Sequence, residues 1–284
     1  MPQTVAFKGA PLTLAGRRLK TGDPAPDFRV VTQDLREVGL KDFSSKIKVV
    51  NFFPSLDTPV CDLQVKEFNK RAEGLTKDII IIGLSKDLPF AQARFCSTFE
   101  IKNETVLSDY RYSSFGINYG VLIKELNLLA RGIIIIDKSD ILRYFQIAPE
   151  LTSPVDFEDA LKSLREVAGN PESSIKEGLP GHCRPCEGGI PPMPKEKVEK
   201  LLALHRGWEP VEDKKIVKEF RFKDFPEAKY FLDLVSAVAE DQGHHPTLTI
   251  IYNKVKITLT THAAGGLTEN DFIMAKIIDE LNYA

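Results

Sequence analysis

Long apolar runs are missing from this chain. The tetrads Ile79–Ile82 and Ile133–Ile136 are strand-sized, far short of the roughly 20 residues a helix needs to cross a bilayer. A charge of one sign is missing too: 38 Lys and Arg against 40 Asp and Glu leave −2, which argues against general nucleic-acid binding. Cysteine is scarce. Four in 284 residues are too few for a disulfide scaffold, so each reads as catalytic or redox-active before it reads as structural. The N-terminus, Met1 to Lys8, has no basic segment followed by an apolar one, so no signal peptide is expected and the cytoplasm is the default compartment. The length suggests about two domains.

What is present centres on residues 48–61. Lys48–Phe53 is a short apolar stretch ended by Pro54, the pattern of a buried strand. Thr58 suits a helix N-cap and Pro59 the first helical position. Cys61 then falls in a first turn, where free N–H groups and the helix dipole favour a thiolate. Val65, Phe68 and Ala72 continue an apolar helical face. A buried, inert thiol is the plain alternative.

Pro54-x-x-x-Thr58-x-x-Cys61 resembles the peroxiredoxin active-site motif, and the run Phe53–Asp62 is similar to its thiol peroxidase branch. The resemblance spans about residues 1–168. It implies a thioredoxin-like α/β domain and reduction of hydroperoxides by Cys61. Thr58 and Arg131 would polarise the peroxide bond, with Pro54 shaping the site. Cys96 matches the resolving position, which implies a Cys61–Cys96 disulfide reduced by thioredoxin. Arg131 could otherwise be an edge-strand charge.

The chain around this motif reads in order. A hairpin over 4–8 and 12–14 would turn at Gly9-Ala10-Pro11, and Gly22–Phe28 is a turn-rich lead-in. Ile79–Leu84 suits the centre of a sheet covered on both faces. Residues 89–99 are helix-like and carry Cys96; Thr105–Asp109 is a strand. Leu128–Asp137 and Ile141–Ile147 form a hairpin, and 155–167 an amphipathic helix. Strands alternating with helices predict a three-layer α/β fold.

Residues 169–194 are dense in Gly and Pro and read as a linker with a Cys183-x-x-Cys186 pair. That pair could be a redox dithiol or half a zinc site, for which His182 is a poor third ligand. From Lys195 to the end, the order α-β-β-α-β-β-α predicts a small α+β domain: one antiparallel four-stranded sheet with helices on one face. Its second hairpin would turn at Asn253-Lys254, and Thr268 caps a last helix.

Three of the five histidines, His244, His245 and His262, lie in this last part, at the ends of consecutive elements with Glu240 nearby. Imidazole is the natural acid–base group at neutral pH. Zinc is one alternative, but no His-x-x-x-His spacing or cysteine partner accompanies them; a fortuitous cluster of histidines favoured at a helix C-terminus is the other. Glu240-x-x-x-His244-His245-Pro246, Tyr252-Asn253, Thr261-His262 and Gly266-Leu267-Thr268-x-x-Asp271 resemble pterin-4a-carbinolamine dehydratase over about residues 180–284. The resemblance implies metal-free loss of water from a 4a-hydroxytetrahydropterin, with no cofactor. It assigns the proton transfers to the three histidines, of which His245 and His262 are the expected pair, oriented by Glu240 and Asp271. Similar Cys-x-x-Cys-Glu-Gly-Gly runs open many members of that family, which makes 183–189 a lead-in segment more readily than a redox relay. Both families imply homo-oligomers.

Overall fold

The computed structural model describes residues 3–58, 64–69, 78–169, 183 and 191–282. The chain divides into two compact units, Met1–Lys176 and Glu177–Tyr283 apart from the last residue. Among the described residues, no helix is long and apolar enough to cross a membrane.

In the first unit β1 (Thr4–Phe7) and β2 (Ala10–Arg17) pair with Phe7 opposite Ala10. The turn is therefore Lys8-Gly9, both with positive φ, and not Gly9-Ala10-Pro11. Two left-handed residues match the twist of a two-residue hairpin, so Ala10 and Pro11 are already strand. The main sheet has seven strands. β3 (Val30–Val31), β4 (Glu37–Val38), β5 (Ile47–Phe52), β6 (Ile79–Ser85), β7 (Glu104–Ser108), β10 (Gly132–Ile136) and β11 (Leu142–Ile147) lie in the order β11-β10-β5-β6-β7-β3-β4. β5, β6 and β7 are parallel, with Ile79–Ser85 fourth of the seven.

Alternate residues feed two cores. Val50, Phe52, Ile82, Leu84, Ile134 and Ile136 pack on one face with Phe115 of helix α3 (Ser114–Asn118) and with Tyr119 just after it. The small antiparallel sheet β1-β2-β8-β9 covers that face, with β8 at Leu122–Ile123 and β9 at Leu128–Leu129. Leu128 and Leu129 thus belong to this second sheet and not to the hairpin with Ile141–Ile147; Ala130 and Arg131 cross between the sheets. On the opposite face Val49, Ile81, Ile133 and Ile135 meet Phe68 of α1 (residues 64–69) and Ala160 and Leu164 of α4 (Phe157–Gly169). Val106 meets Phe95 of α2 (Pro89–Thr98). The result is the three-layer α/β arrangement.

The second unit has β12 (Glu209–Val211), β13 (Lys215–Arg221), β14 (Thr247–Ile251) and β15 (Lys254–Leu259) in the antiparallel order β12-β13-β15-β14. Val255, Ile257 and Leu259 are buried against α6 (Phe225–Gln242) and α7 (Glu269–Glu280), while Lys256 is exposed. A first helix, α5 (Lys195–Leu202), precedes the sheet. Ile251 pairs with Lys254, so the hairpin loop is Tyr252-Asn253, one residue earlier than the spacing suggested. Tyr252 takes the left-handed φ of 50° that the loop requires.

Close approach fixes one glycine. A Cβ on Gly132 would sit 2.1 Å from the Gln146 carbonyl oxygen and 2.3 Å from the Phe52 ring. Gly132→Ala is expected to destabilise the first unit by about 2 kcal/mol or more, read as a lower denaturation midpoint at unchanged slope.

Candidate active sites

Pro54 is buried and closes β5. The loop after it is tied down by Asp87, just past β6. Its carboxylate accepts from the Leu56 N–H at 2.7 Å and from the hydroxyls of Ser55 at 2.7 Å and Ser85 at 2.8 Å. Thr58 is half-buried, and its hydroxyl and N–H both donate to the Ser55 carbonyl, at 3.2 and 3.3 Å. Pro59, Cys61 and Ala72 lie outside the described residues, and with them the capping assigned to Thr58. The chain is helical at Gln64, three positions after Cys61.

Arg131 is 1% exposed, too buried for an edge-strand charge. Its Nε donates to the Leu151 carbonyl at 2.8 Å and one Nη to Gln64 Oε1 at 2.7 Å. The Gln64 amide then donates to Asn51 Oδ1, and Asn51 Nδ2 donates to Glu104 Oε1 at 2.9 Å. All four side chains are buried. Burial pushes the Glu104 carboxyl up to about 8, against the opposing effect of the Asn51 hydrogen bond. Neither Gln64, Asn51, Glu104 nor Asp87 stood out in the sequence. The available signal was a polar residue inside an otherwise apolar stretch: Asn51 after Val49-Val50, and Gln64 before Val65.

Cys96 is half-buried on α2, beside the core around Phe53 and Val65. Burial pushes its thiol up and Glu104 adds to this, while the Gln33 amide, 3.3 Å from Sγ, opposes it. Cys96 is thus a protonated thiol at neutral pH, unsuited to be the first nucleophile.

In the second unit, α6 begins at Asp224, whose side chain accepts from the Glu227 N–H at 3.0 Å, and ends at Gly243 with φ of 61°. The left-handed glycine turns the chain so that the His244 N–H donates back to the Ala239 carbonyl. His244 is thereby buried, and its Nε2 lies 2.8 Å from Asp271 Oδ1. Asp271, wholly buried in the first turn of α7, accepts through Oδ2 from the Thr268 N–H at 2.8 Å and the Thr261 hydroxyl at 2.9 Å. Since the Thr261 proton goes to Asp271, the Thr268 hydroxyl donates to Thr261, at 2.8 Å. His245 is exposed, with Nε2 3.0 Å from Glu240 Oε2. His262 is exposed and opens a single turn, His262–Ala264, directly after Thr261. Glu240 therefore contacts the histidine expected of it, whereas Asp271 holds His244 and not His245 or His262. Among the described residues, no group of three or more His, Cys, Asp and Glu side chains could hold a metal. Cys183 is buried: its N–H donates to Gln242 Oε1 at 2.8 Å, and its thiol lies 3.7 Å from the Asn270 carbonyl. His182 and Cys186 lie outside the described residues.

Residues 20–164 match the family model described as Redoxin, just over half the chain. The chain belongs to the Redoxin family. A thiol peroxidase of Staphylococcus saprophyticus is 42% identical over 163 residues, 57% of this chain and 98% of its own length. The crystal structure of a peroxiredoxin-like protein from Aquifex aeolicus, also 42% identical, covers 59% of this chain and 98% of its own, with a TM-score of 0.55. Residues 191–281 match the family described as Pterin 4 alpha carbinolamine dehydratase. A transcriptional coactivator/pterin dehydratase from Brucella melitensis is 34% identical over 31% of this chain and 95% of its own, with a TM-score of 0.30. The two family matches support a bifunctional peroxidase and dehydratase, and not a peroxidase whose C-terminal part only binds pterin or drives assembly. Hydroperoxides are the substrates that Redoxin membership implies.

Glu104 makes one property measurable. Its folded value near 8 exceeds the ordinary 4.5, so between these the folded state holds a proton that the unfolded state has lost. Stability contributed by the protonated carboxyl is full below pH 4.5 and lost as pH rises through 8. Denaturation midpoints of the native protein are expected to fall across this window, and those of Glu104→Gln to fall less.

Proposed function

We propose that the first unit reduces hydroperoxides through Cys61 and Cys96 with thioredoxin as electron donor, and that the second dehydrates 4a-hydroxytetrahydropterins. The observation that carries the first half is the buried Arg131 guanidinium, held by the Leu151 carbonyl and by Gln64 of α1. A fixed, desolvated cation bonded to Gln64, three positions along the sequence from Cys61, favours a thiolate at Cys61 and steadies the oxygen that leaves. The Cys61 thiolate attacks one peroxide oxygen, the O–O bond breaks, and the other oxygen takes a proton and leaves as water or alcohol. Thr58 guides the peroxide, and Pro54 screens the thiolate from water. Cys61, now a sulfenic acid, condenses with the Cys96 thiol to a disulfide and releases water. Two electrons and two protons from reduced thioredoxin restore both thiols.

Cys96 packs, partly buried, against the core around Phe53, and we infer that local unwinding of α2 accompanies bond formation. Its raised thiol value makes condensation faster as pH rises above neutral. Peptide mapping without reductant after one equivalent of peroxide is expected to give the 61–96 pair. Cys96→Ser should keep one round of peroxide reduction and lose turnover with thioredoxin. Absence of the pair would remove the disulfide step.

The second half rests on Asp271, whose bonds draw His244, Thr261 and the start of α7 together. Thr261 precedes His262, so the same bonds place the His262 turn. Dehydration needs a proton delivered to the C4a hydroxyl and one taken from a ring nitrogen, giving water and a quinonoid dihydropterin. His245, steadied by Glu240, and His262 are the exposed imidazoles that can exchange these protons. His244, with Nε2 committed to Asp271, orients the substrate or relays a proton through Nδ1. Self-association accompanies both activities. Turnover of a chemically generated 4a-hydroxytetrahydropterin should fall about a hundredfold or more in His262→Ala. Native protein no faster than buffer would remove the dehydratase.

A further inference from the structure

Asn51 and Glu104 lie on β5 and β7, which are not neighbours: β6 runs between them. Their side chains meet because the residue between them is Gly83. Asn51 is in register with Gly83, and Gly83 with Val106, two residues beyond Glu104 and on the same face. A Cβ on Gly83 would lie 2.5 Å from Glu104 Oε1. The missing side chain is therefore the space that the carboxyl occupies. Glu104 is delivered from the other side as well, since Asn69 of α1 accepts the Lys102 and Asn103 N–H groups through Oδ1, at 2.9 and 2.8 Å.

The hydrogen bonds along this line run one way. Arg131 can only donate, so Gln64 must present its oxygen to Arg131 and its NH2 to Asn51. Asn51 in turn presents its oxygen to Gln64 and its NH2 to Glu104. The chain needs an acceptor at its far end, and Glu104 Oε1 is that acceptor. Either amide reversed would set a donor against a donor in a buried site.

We propose that Glu104 is a positioning residue of the peroxidase centre: through the gap at Gly83 it fixes Asn51, Asn51 fixes Gln64, and Gln64 aims the Arg131 guanidinium. This rests on the role given to Arg131 above. Glu104 touches no substrate and acts only through the amides. A titratable neighbour is Cys96 on α2, whose thiol this carboxyl, when ionised, helps to hold up.

The test compares Glu104→Leu, Glu104→Gln, Gly83→Ala and Arg131→Met in the full chain. The readouts are the second-order rate of Cys61 oxidation by hydrogen peroxide and the thiolate titration of Cys61 by ultraviolet absorbance. Arg131→Met is expected to lose about a hundredfold or more. Glu104→Leu should lose about tenfold and shift the thiolate titration upward, the scale usual for outer-shell partners. Glu104→Gln keeps an acceptor oxygen for Asn51 and should restore the rate to within about twofold. A merely structural role for Glu104 would not move the Cys61 titration, nor restore it with the conservative variant.

Gly83→Ala retains every polar group and displaces only the carboxyl; it should follow Glu104→Leu, and it carries the test if the leucine variant does not fold. Wild-type rates in Glu104→Leu or Gly83→Ala, with Arg131→Met impaired, would overturn the proposal alone. A Glu104→Gln rate as low as that of the leucine variant would overturn it too. Wild-type rates in Arg131→Met would instead remove the role of Arg131, and the proposal with it.

Discussion

A guanidinium out of contact with water must have its donors satisfied, and much of the first unit follows from that requirement. Arg131 sits where the chain crosses from β9 to β10, under a sheet packed on both faces. Water cannot serve it there, so a backbone carbonyl and a helix amide do. The amide then requires its own partner, and so on across three strands until a carboxyl ends the series. Each step lies on the face shared with α1, α2 and α4, where β-strand alternation puts Asn51, Gly83 and Glu104 on one side. A polar line through an apolar layer costs most where a member lacks a partner, and here that member is Glu104 Oε2 at its end.

The second unit solves a comparable problem with fewer parts. One buried carboxylate, Asp271, takes a backbone N–H, a hydroxyl and an imidazole. The first site reaches its order through length, by passing orientation along amides. The second reaches it through convergence on a single residue at a helix start, where free N–H groups already favour an anion. In both, side-chain orientation is fixed by buried polar partners.

The elements of both units were legible where the pattern was strong. Ile79–Leu84 and the alternation Val255, Ile257, Leu259 announced a two-faced and a one-faced strand, and the structure has them. Turn placement was less legible: Lys8-Gly9 and Tyr252-Asn253 depend on non-glycine residues accepting positive φ, which spacing alone does not disclose. Leu128-Leu129 looked continuous with Gly132–Ile136 because both are apolar; only tertiary pairing separates them. The nucleophile motif and the histidine cluster stood out by residue type. Their supports did not, since Gln64, Asn51, Glu104 and Asp87 matter through partners distant in sequence. The direct partner of Asp271 was not legible for a related reason: three histidines stand near in sequence, and burial selects His244.

Asp271 has two employments that cannot be separated. The carboxylate that completes the start of α7 is the same one that grips the His244 ring. Fraying of the first turn of that helix would release the imidazole at once, well before the sheet beneath it loosened. The histidine cluster is thus as durable as one helix end and no more so. A molecule that has lost its chemistry there can still look folded by every bulk measure.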